Sequence, residues 1–175
     1  MEIMVASFDN ESAAESAYFS LLKKQEGFIP IKYFNIIPAI KYREHNFIFK
    51  STFEYFPDGF LTGSLFSIIV GFLLGIPSSS LGTLLGTTSA SALNPVMEIL
   101  TRTRSLVDCK DKLSTLFTPD STALFILVSN ENSEMVMKNL QNFNPKDKII
   151  KISLSAETVN ILKEVLSLPD VRPPD

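Results

Sequence analysis

Apolar and polar positions along the chain fall into three regimes, and each predicts a different kind of structure. In the first, Ile3, Val5, Ala6 and Phe8 form a short apolar run that reads as a strand. Asp9 and Asn10 follow as natural helix N-caps, and Ser12 with Glu15 has the spacing of a capping box. Ala13, Ala14, Ala17, Tyr18, Leu21 and Leu22 recur at helical spacing, with Lys23, Lys24 and Gly27 suited to the helix end. Residues 28–56 are rich in aromatic and β-branched types, and the polar run from Lys41 to His45 divides them into two strands. Pro30 and Pro38 are expected at strand ends or on an edge, because proline cannot donate to a ladder.

The second regime lacks charge. No charged residue stands between Asp58 and Glu98. Pro77 and Ser78 to Ser80 signal a turn that splits the stretch into an apolar half, Gly59 to Gly75, and a more dilute half, Leu81 to Met97. Its small residues are regularly placed. Gly59, Gly63, Ser67, Gly71 and Gly75 recur every four positions, and Gly82, Gly86 and Ala90 repeat that period beyond the turn. A four-residue period drifts slowly around a helix with 3.6 residues per turn, so these positions line one narrow groove. Glycine inside a helix costs roughly 1 kcal/mol relative to alanine, and close approach of another helix is the usual compensation. These eight residues are therefore the candidate helix-packing site.

In the third regime, from Glu98 onward, ordinary amphipathic patterning returns. A helix passes through Leu106, Cys109, Leu113 and Leu116, and a turn follows at Thr118 to Ser121. Thr122 to Ser129 reads as a buried strand, and Asn132 or Ser133 caps a helix carrying Val136, Leu140 and Phe143. Lys148 to Leu154 alternates as a strand. Ser155 caps a last helix with Val159, Leu162, Val165 and Leu166 on one face. The expected fold class is α+β: a ferredoxin-like sandwich, helices over one sheet face, with an inserted glycine-zipper helical hairpin. Residues 1–56 and 118–175 form the ferredoxin-like α/β domain. Residues 57–117 form the inserted apolar hairpin and a connecting helix.

Composition sharpens this picture. A hydrophobic fraction of 45% and a mean hydropathy of +0.19 are high for a chain that stays in solution alone. An apolar helix of 17 residues, about 25 Å long, reaches the lower limit for a bilayer span, roughly 17–25 residues. The expected partners are therefore membrane lipid and further copies of the chain as a homo-oligomer. Lys41, Arg43, Lys50, Arg102 and Arg104 near the hairpin place the soluble flanks on the cytoplasmic side. The N-terminal Met1 to Val5 has neither the basic stretch nor the long apolar core of a signal peptide. A net charge of −3 without clustered Lys and Arg argues against nucleic acid.

Catalytic chemistry is not expected. His45 is the only histidine and lies beside Glu44 in a polar turn, where nothing positions it as a general base. Cys109, the only cysteine, falls on the apolar side of its helix and reads as a small core residue. No metal set and no cofactor motif is present. Gly82 to Thr88 imitates a phosphate loop but lacks its lysine.

The opening Val5 to Glu11, the glycine-bearing apolar insertion, Thr118 to Val128 and the closing Ser153 to Glu157 together resemble the bacterial domain of unknown function 1269 family. The resemblance spans roughly residues 3 to 168. It implies small α/β domains with a membrane-type insertion, no assigned reaction and no catalytic residues to carry over. The expectation is a non-enzymatic, membrane-associated, self-assembling protein held together by its hairpin. The alternative is a soluble oligomeric regulatory or ligand-binding module that uses the hairpin as an oligomerisation arm.

Overall fold

A computed structural model of the chain describes residues 1–25, 35–43, 46–49, 60–78, 80–81, 93–145 and 149–166. In chain order the elements are β1 (Glu2–Phe8), α1 (Glu11–Gln25), β2 (Asn35–Arg43), β3 (Asn46–Phe49), α2 (Phe60–Leu73), α3 (Asn94–Arg102) and α4 (Arg104–Leu116). They continue as β4 (Thr122–Val128), a 3-10 turn (Asn130–Asn132), α5 (Ser133–Gln141), β5 (Ile150–Ser153) and α6 (Ala156–Leu166). The fold is α+β. The chain divides into two compact units, residues 1–54 with 114–153 and residues 55–113 with 154–175.

The first unit is built on a five-stranded sheet in the order β3-β2-β4-β1-β5. Every neighbouring pair is antiparallel, with Phe8 opposite Thr122 and Val5 opposite both Phe125 and Ile150. Two-residue alternation sends Met4, Ala6 and Phe8 of β1, Ile36 of β2, and Leu124, Ile126 and Val128 of β4 to one face. There they pack with Ala14, Ala17, Tyr18 and Leu21 of α1 and Val136 and Leu140 of α5. Ile3, Val5, Ala123, Phe125 and Leu127 point the other way and are buried as well. β4 is thus covered on both sides along its length, which its unbroken apolar sequence requires.

Local chemistry sets the element ends. Asn10 Oδ1 accepts the Ala13 N–H at 2.9 Å, so Asn10 is the N-cap of α1 and Ser12 falls inside the first turn. Ser155 Oγ accepts the Thr158 N–H at 3.0 Å and caps α6. Thr118 to Ser121 form a turn closed by the Ser121 N–H on the Thr118 carbonyl, with Asp120 at φ 64°. The Lys41 ammonium donates to the Phe117 carbonyl at 2.8 Å and ties this turn to β2.

Pro38 lies inside β2, opposite Leu124, and not at a strand end. The Lys41 N–H faces β4, where it reaches the Ser121 carbonyl at 3.1 Å. Alternation then turns position 38 toward β3, beyond the Ala39–Phe49 pair at which the described pairing with β3 stops. The missing N–H costs no ladder bond among the described residues.

In the second unit α2 packs on α3 and α6, and α3 also packs on α6. The last helix therefore belongs with the inserted helices, whereas the expected boundary grouped it with the strands. Its apolar face demands a partner, and α2 and α3 supply one. α2 has 14 residues, about 21 Å at 1.5 Å per residue. Among the described residues no helix is long and apolar enough to cross a membrane, so the expected transmembrane hairpin finds no span there. The expected second arm, Leu81 to Met97, lies mostly outside the described residues. Its end differs from expectation, because α3 starts at Asn94 with a proline in its first turn and runs through Glu98 to Arg102.

Candidate functional site

The glycine series was the sequence's strongest signal, and the structure gives its described members different surroundings. Gly63, Ser67 and Gly71 all lie on α2. Gly71 is buried and Ser67 half-buried. Gly75 is exposed just past the helix end. Gly59, Gly82, Gly86 and Ala90 lie outside the described residues.

Gly71 is a notch filled by a side chain. A Cβ built there would sit 3.1 Å from Leu81 Cγ and 3.2 Å from Cδ1, with Cδ2 closer still. Leu81 is itself buried, so it has little freedom to withdraw. The chain reverses between them in a definite way. The Gly75 N–H reaches the Phe72 carbonyl at 3.0 Å and the Ile76 N–H reaches the Gly71 carbonyl at 2.9 Å. This is the Schellman pattern, with Gly75 at φ 73° in the left-handed position that glycine favours. Pro77 then opens a new turn, its carbonyl accepting from the Ser80 and Leu81 N–H groups, and Leu81 is carried back onto Gly71.

Around this notch the described side chains of α2 from Leu65 to Leu73, Ser67 aside, are buried within a single chain. A helix that is apolar on every side is an interior helix. One cation marks its end: Lys110 Nζ lies 4.8 Å from the centre of the Phe72 ring. An ammonium there faces both the ring's negative face and the negative end of the helix dipole.

Two of the candidate chemical groups, Cys109 and Glu2, are buried. Cys109 is 3% exposed, and burial pushes its thiol up to about 12, against a smaller opposing pull from Lys112. A thiol so rarely ionised is a poor nucleophile. His45 lies outside the described residues, which contain no group of three metal-ligating side chains. Glu2 is buried at the β1–β5 edge, where Lys151 Nζ meets Oε2 at 3.0 Å and the Ser153 hydroxyl donates to Oε1 at 3.4 Å. Burial alone would raise this carboxyl. The Ser133 hydroxyl, Lys151 and Ser153 outweigh it and hold the group below its ordinary 4.5.

One feature escaped the sequence. A groove of about 130 Å³ in the first unit runs between α1 and the β2–β4 pair, lined by Ala14, Tyr18, Pro38, Ile40 and Leu124 with Glu11, Glu15, Phe19 and Thr122. Thr122 is 2% exposed, and its hydroxyl has no hydrogen-bond partner among the described residues. The available signal was a hydroxyl heading an otherwise apolar strand, but a buried first residue and an exposed one look alike in sequence.

A family model described as "Protein of unknown function (DUF1269)" matches residues 60–167, more than half of the chain. The chain belongs to the DUF1269 family. The DUF1269 match starts at the first residue of α2 and reaches past α6. It thus contains Gly63 to Gly75, Leu81 and Thr122, while β1, α1 and the β2–β3 hairpin precede it. No curated protein matches this DUF1269 chain, and no solved structure matches it.

Proposed function

We propose that the protein is a non-enzymatic ligand-binding module of ferredoxin-like topology, in which the glycine-bearing apolar helix is an internal packing element. The observation that carries this reading is the Gly71 notch, occupied by Leu81 of the same chain, on a helix whose described side chains are almost all buried. A lipid-facing helix would present apolar side chains outward, and a self-assembling groove would leave its small residues open to a neighbour. The topology is supported by the order β2-β4-β1-β5, with α1 joining β1 to β2 and α5 joining β4 to β5 over one face. β3 adds a strand outside that set. The protonated thiol of Cys109 favours binding over covalent catalysis. A membrane-associated assembly held by the whole glycine series is the rival. Its support is the uncharged stretch from Gly59 to Met97, much of which lies outside the described residues.

A double-mutant cycle separates the two. Gly71→Ala should destabilise the fold by crowding Leu81, and Leu81→Ala should cost about 2–5 kcal/mol through a cavity. Combined, the new methyl partly fills the vacated space, so the two costs should fall short of additivity by roughly 1 kcal/mol or more in urea denaturation. Strict additivity together with a fall in oligomer size for Gly71→Ala, read by light scattering, would refute internal packing and favour assembly. Carbonate washing of fractionated cells adds a direct check, because retention of the chain in the washed membrane supports the rival.

A further inference from the structure

Phe19 and the groove beside it place a knob and a hole on one surface of the first unit. α1 turns Ala14, Ala17, Tyr18 and Leu21 into the core, and Phe19, one position further round, is left outside. Among the described residues it is the most exposed large apolar side chain, at 56%. The Tyr18 ring meets it edge-on, with centroids 5.5 Å apart, and holds it on the groove side of the helix. A lone exposed apolar residue is ordinary. An exposed ring continuous with an apolar hollow is a patch, and such patches mark contact surfaces.

The hollow lies between α1 and the β2–β4 pair, where Ala14, Tyr18, Pro38, Ile40 and Leu124 line it. It shows an occupant almost no polar surface, so an apolar group can enter without stripping water from a polar one. Its volume is about 130 Å³, close to the cavity of about 150 Å³ that takes up a benzene ring. A phenyl side chain therefore matches it in size and chemistry. Charge then decides whose. Along α1 the sign changes across Phe19: Glu11 and Glu15 precede it, Lys23 follows it, and all three are exposed. Glu11 and Glu15 also have interactions within their own chain, and the match needs only their sign.

We propose that a second copy of this chain docks here, with the two α1 helices antiparallel about a two-fold axis. The Phe19 ring of each copy lies in the groove of the other. An isologous contact demands a self-complementary patch, and knob, hole and both signs of charge lie on this one. The register is consistent as well. With Phe19 of one copy level with Glu15 of the other, between Ala14 and Tyr18, Lys23 falls level with Glu11, both pairs being centred on Ala17. Antiparallel helices thus set each basic end against an acidic half, whereas parallel ones would oppose like charges. One helix face and one groove make a small interface beside the roughly 800 Å² per partner of a stable one, so the dissociation constant should be on the order of 0.1 mM. The proposal is independent of the Gly71–Leu81 packing, which belongs to the second unit.

The test is sedimentation equilibrium of the full chain, from well below to well above that concentration. A monomer–dimer equilibrium is expected, weaker at high salt, with ¹H–¹⁵N shifts at Ala14, Tyr18 and Leu124 that follow the dimer fraction. Phe19→Ser removes the knob from an exposed site and should weaken the dimer tenfold or more. Lys23→Glu should weaken it too, as should Glu11→Lys with Glu15→Lys, because each makes like charges face each other. Mixing these two charge variants should restore the dimer, since every facing pair is then opposite in sign. If Phe19→Ser does not fold, the mixing experiment decides. A chain that stays monomeric throughout, a dimer indifferent to Phe19→Ser, or no recovery on mixing each overturns the proposal. So does an oligomer that Gly71→Ala breaks and Phe19→Ser leaves intact, which would support assembly through the glycine series.

Discussion

Gly75 shows how far one residue's conformation exceeds what spacing reveals. In sequence it is the fifth member of a four-residue series. In the structure it sits at φ 73° and donates to Phe72, which makes it the residue that ends α2. A Cβ in that conformation crowds the adjoining carbonyl. Gly75→Ala should therefore lower stability by about 1 kcal/mol in urea denaturation, and Gly75→Asn should cost less, since asparagine tolerates the left-handed region. Equal losses for the two variants would point to side-chain crowding instead. Open space around the position argues against that, its nearest neighbour being Lys110 Cε at 3.9 Å. The sequence could display the glycines but not their φ values, nor that Leu81 would return to fill Gly71. Both depend on a six-residue reversal whose geometry is set by tertiary packing. Cys109 was legible, because an apolar helix face predicts burial and burial predicts a protonated thiol.

Elements were read well where the signal is local. Seven consecutive residues of β4 form one buried strand, and the caps at Asn10 and Ser155 fix where α1 and α6 begin. The start of α3 was also written in the chain as Asn94-Pro95, a common way to open a helix, but apolarity running on to Met97 concealed it. The β1–β5 pairing was not legible, since β5 is a four-residue strand far away in sequence. That pairing makes a pH prediction. Glu2 titrates below its ordinary 4.5 in the folded state, so its contribution to stability is complete above that value. It is lost as pH falls through the depressed folded value. The stability gap between the native chain and Glu2→Gln should thus be widest near neutrality and shrink below about pH 4.5, as read from urea midpoints across that range. A gap independent of pH would mean that Lys151 and the two serines do not favour the charged form.

At the scale of the whole molecule, the α+β class and the chain order of the five strands were recoverable from periodicity, whereas α3 was not separated from its neighbours. The assignment of α6 was not recoverable either. An amphipathic face states that a helix must be covered, not by what, and only packing on α2 and α3 places α6 in the second unit. A chain stopped after Ser155 should therefore keep its strands by circular dichroism yet bind a hydrophobic dye strongly, because α2 and α3 lose their cover. Weak dye binding would show that α6 is dispensable. The same arrangement has a consequence in time. α6 is made about ninety residues after α2, a delay of roughly 5–20 s at ordinary elongation speeds. Throughout that interval the most apolar helix of a nascent chain stands without its last partner at the ribosome, within reach of chaperones and of any nearby bilayer.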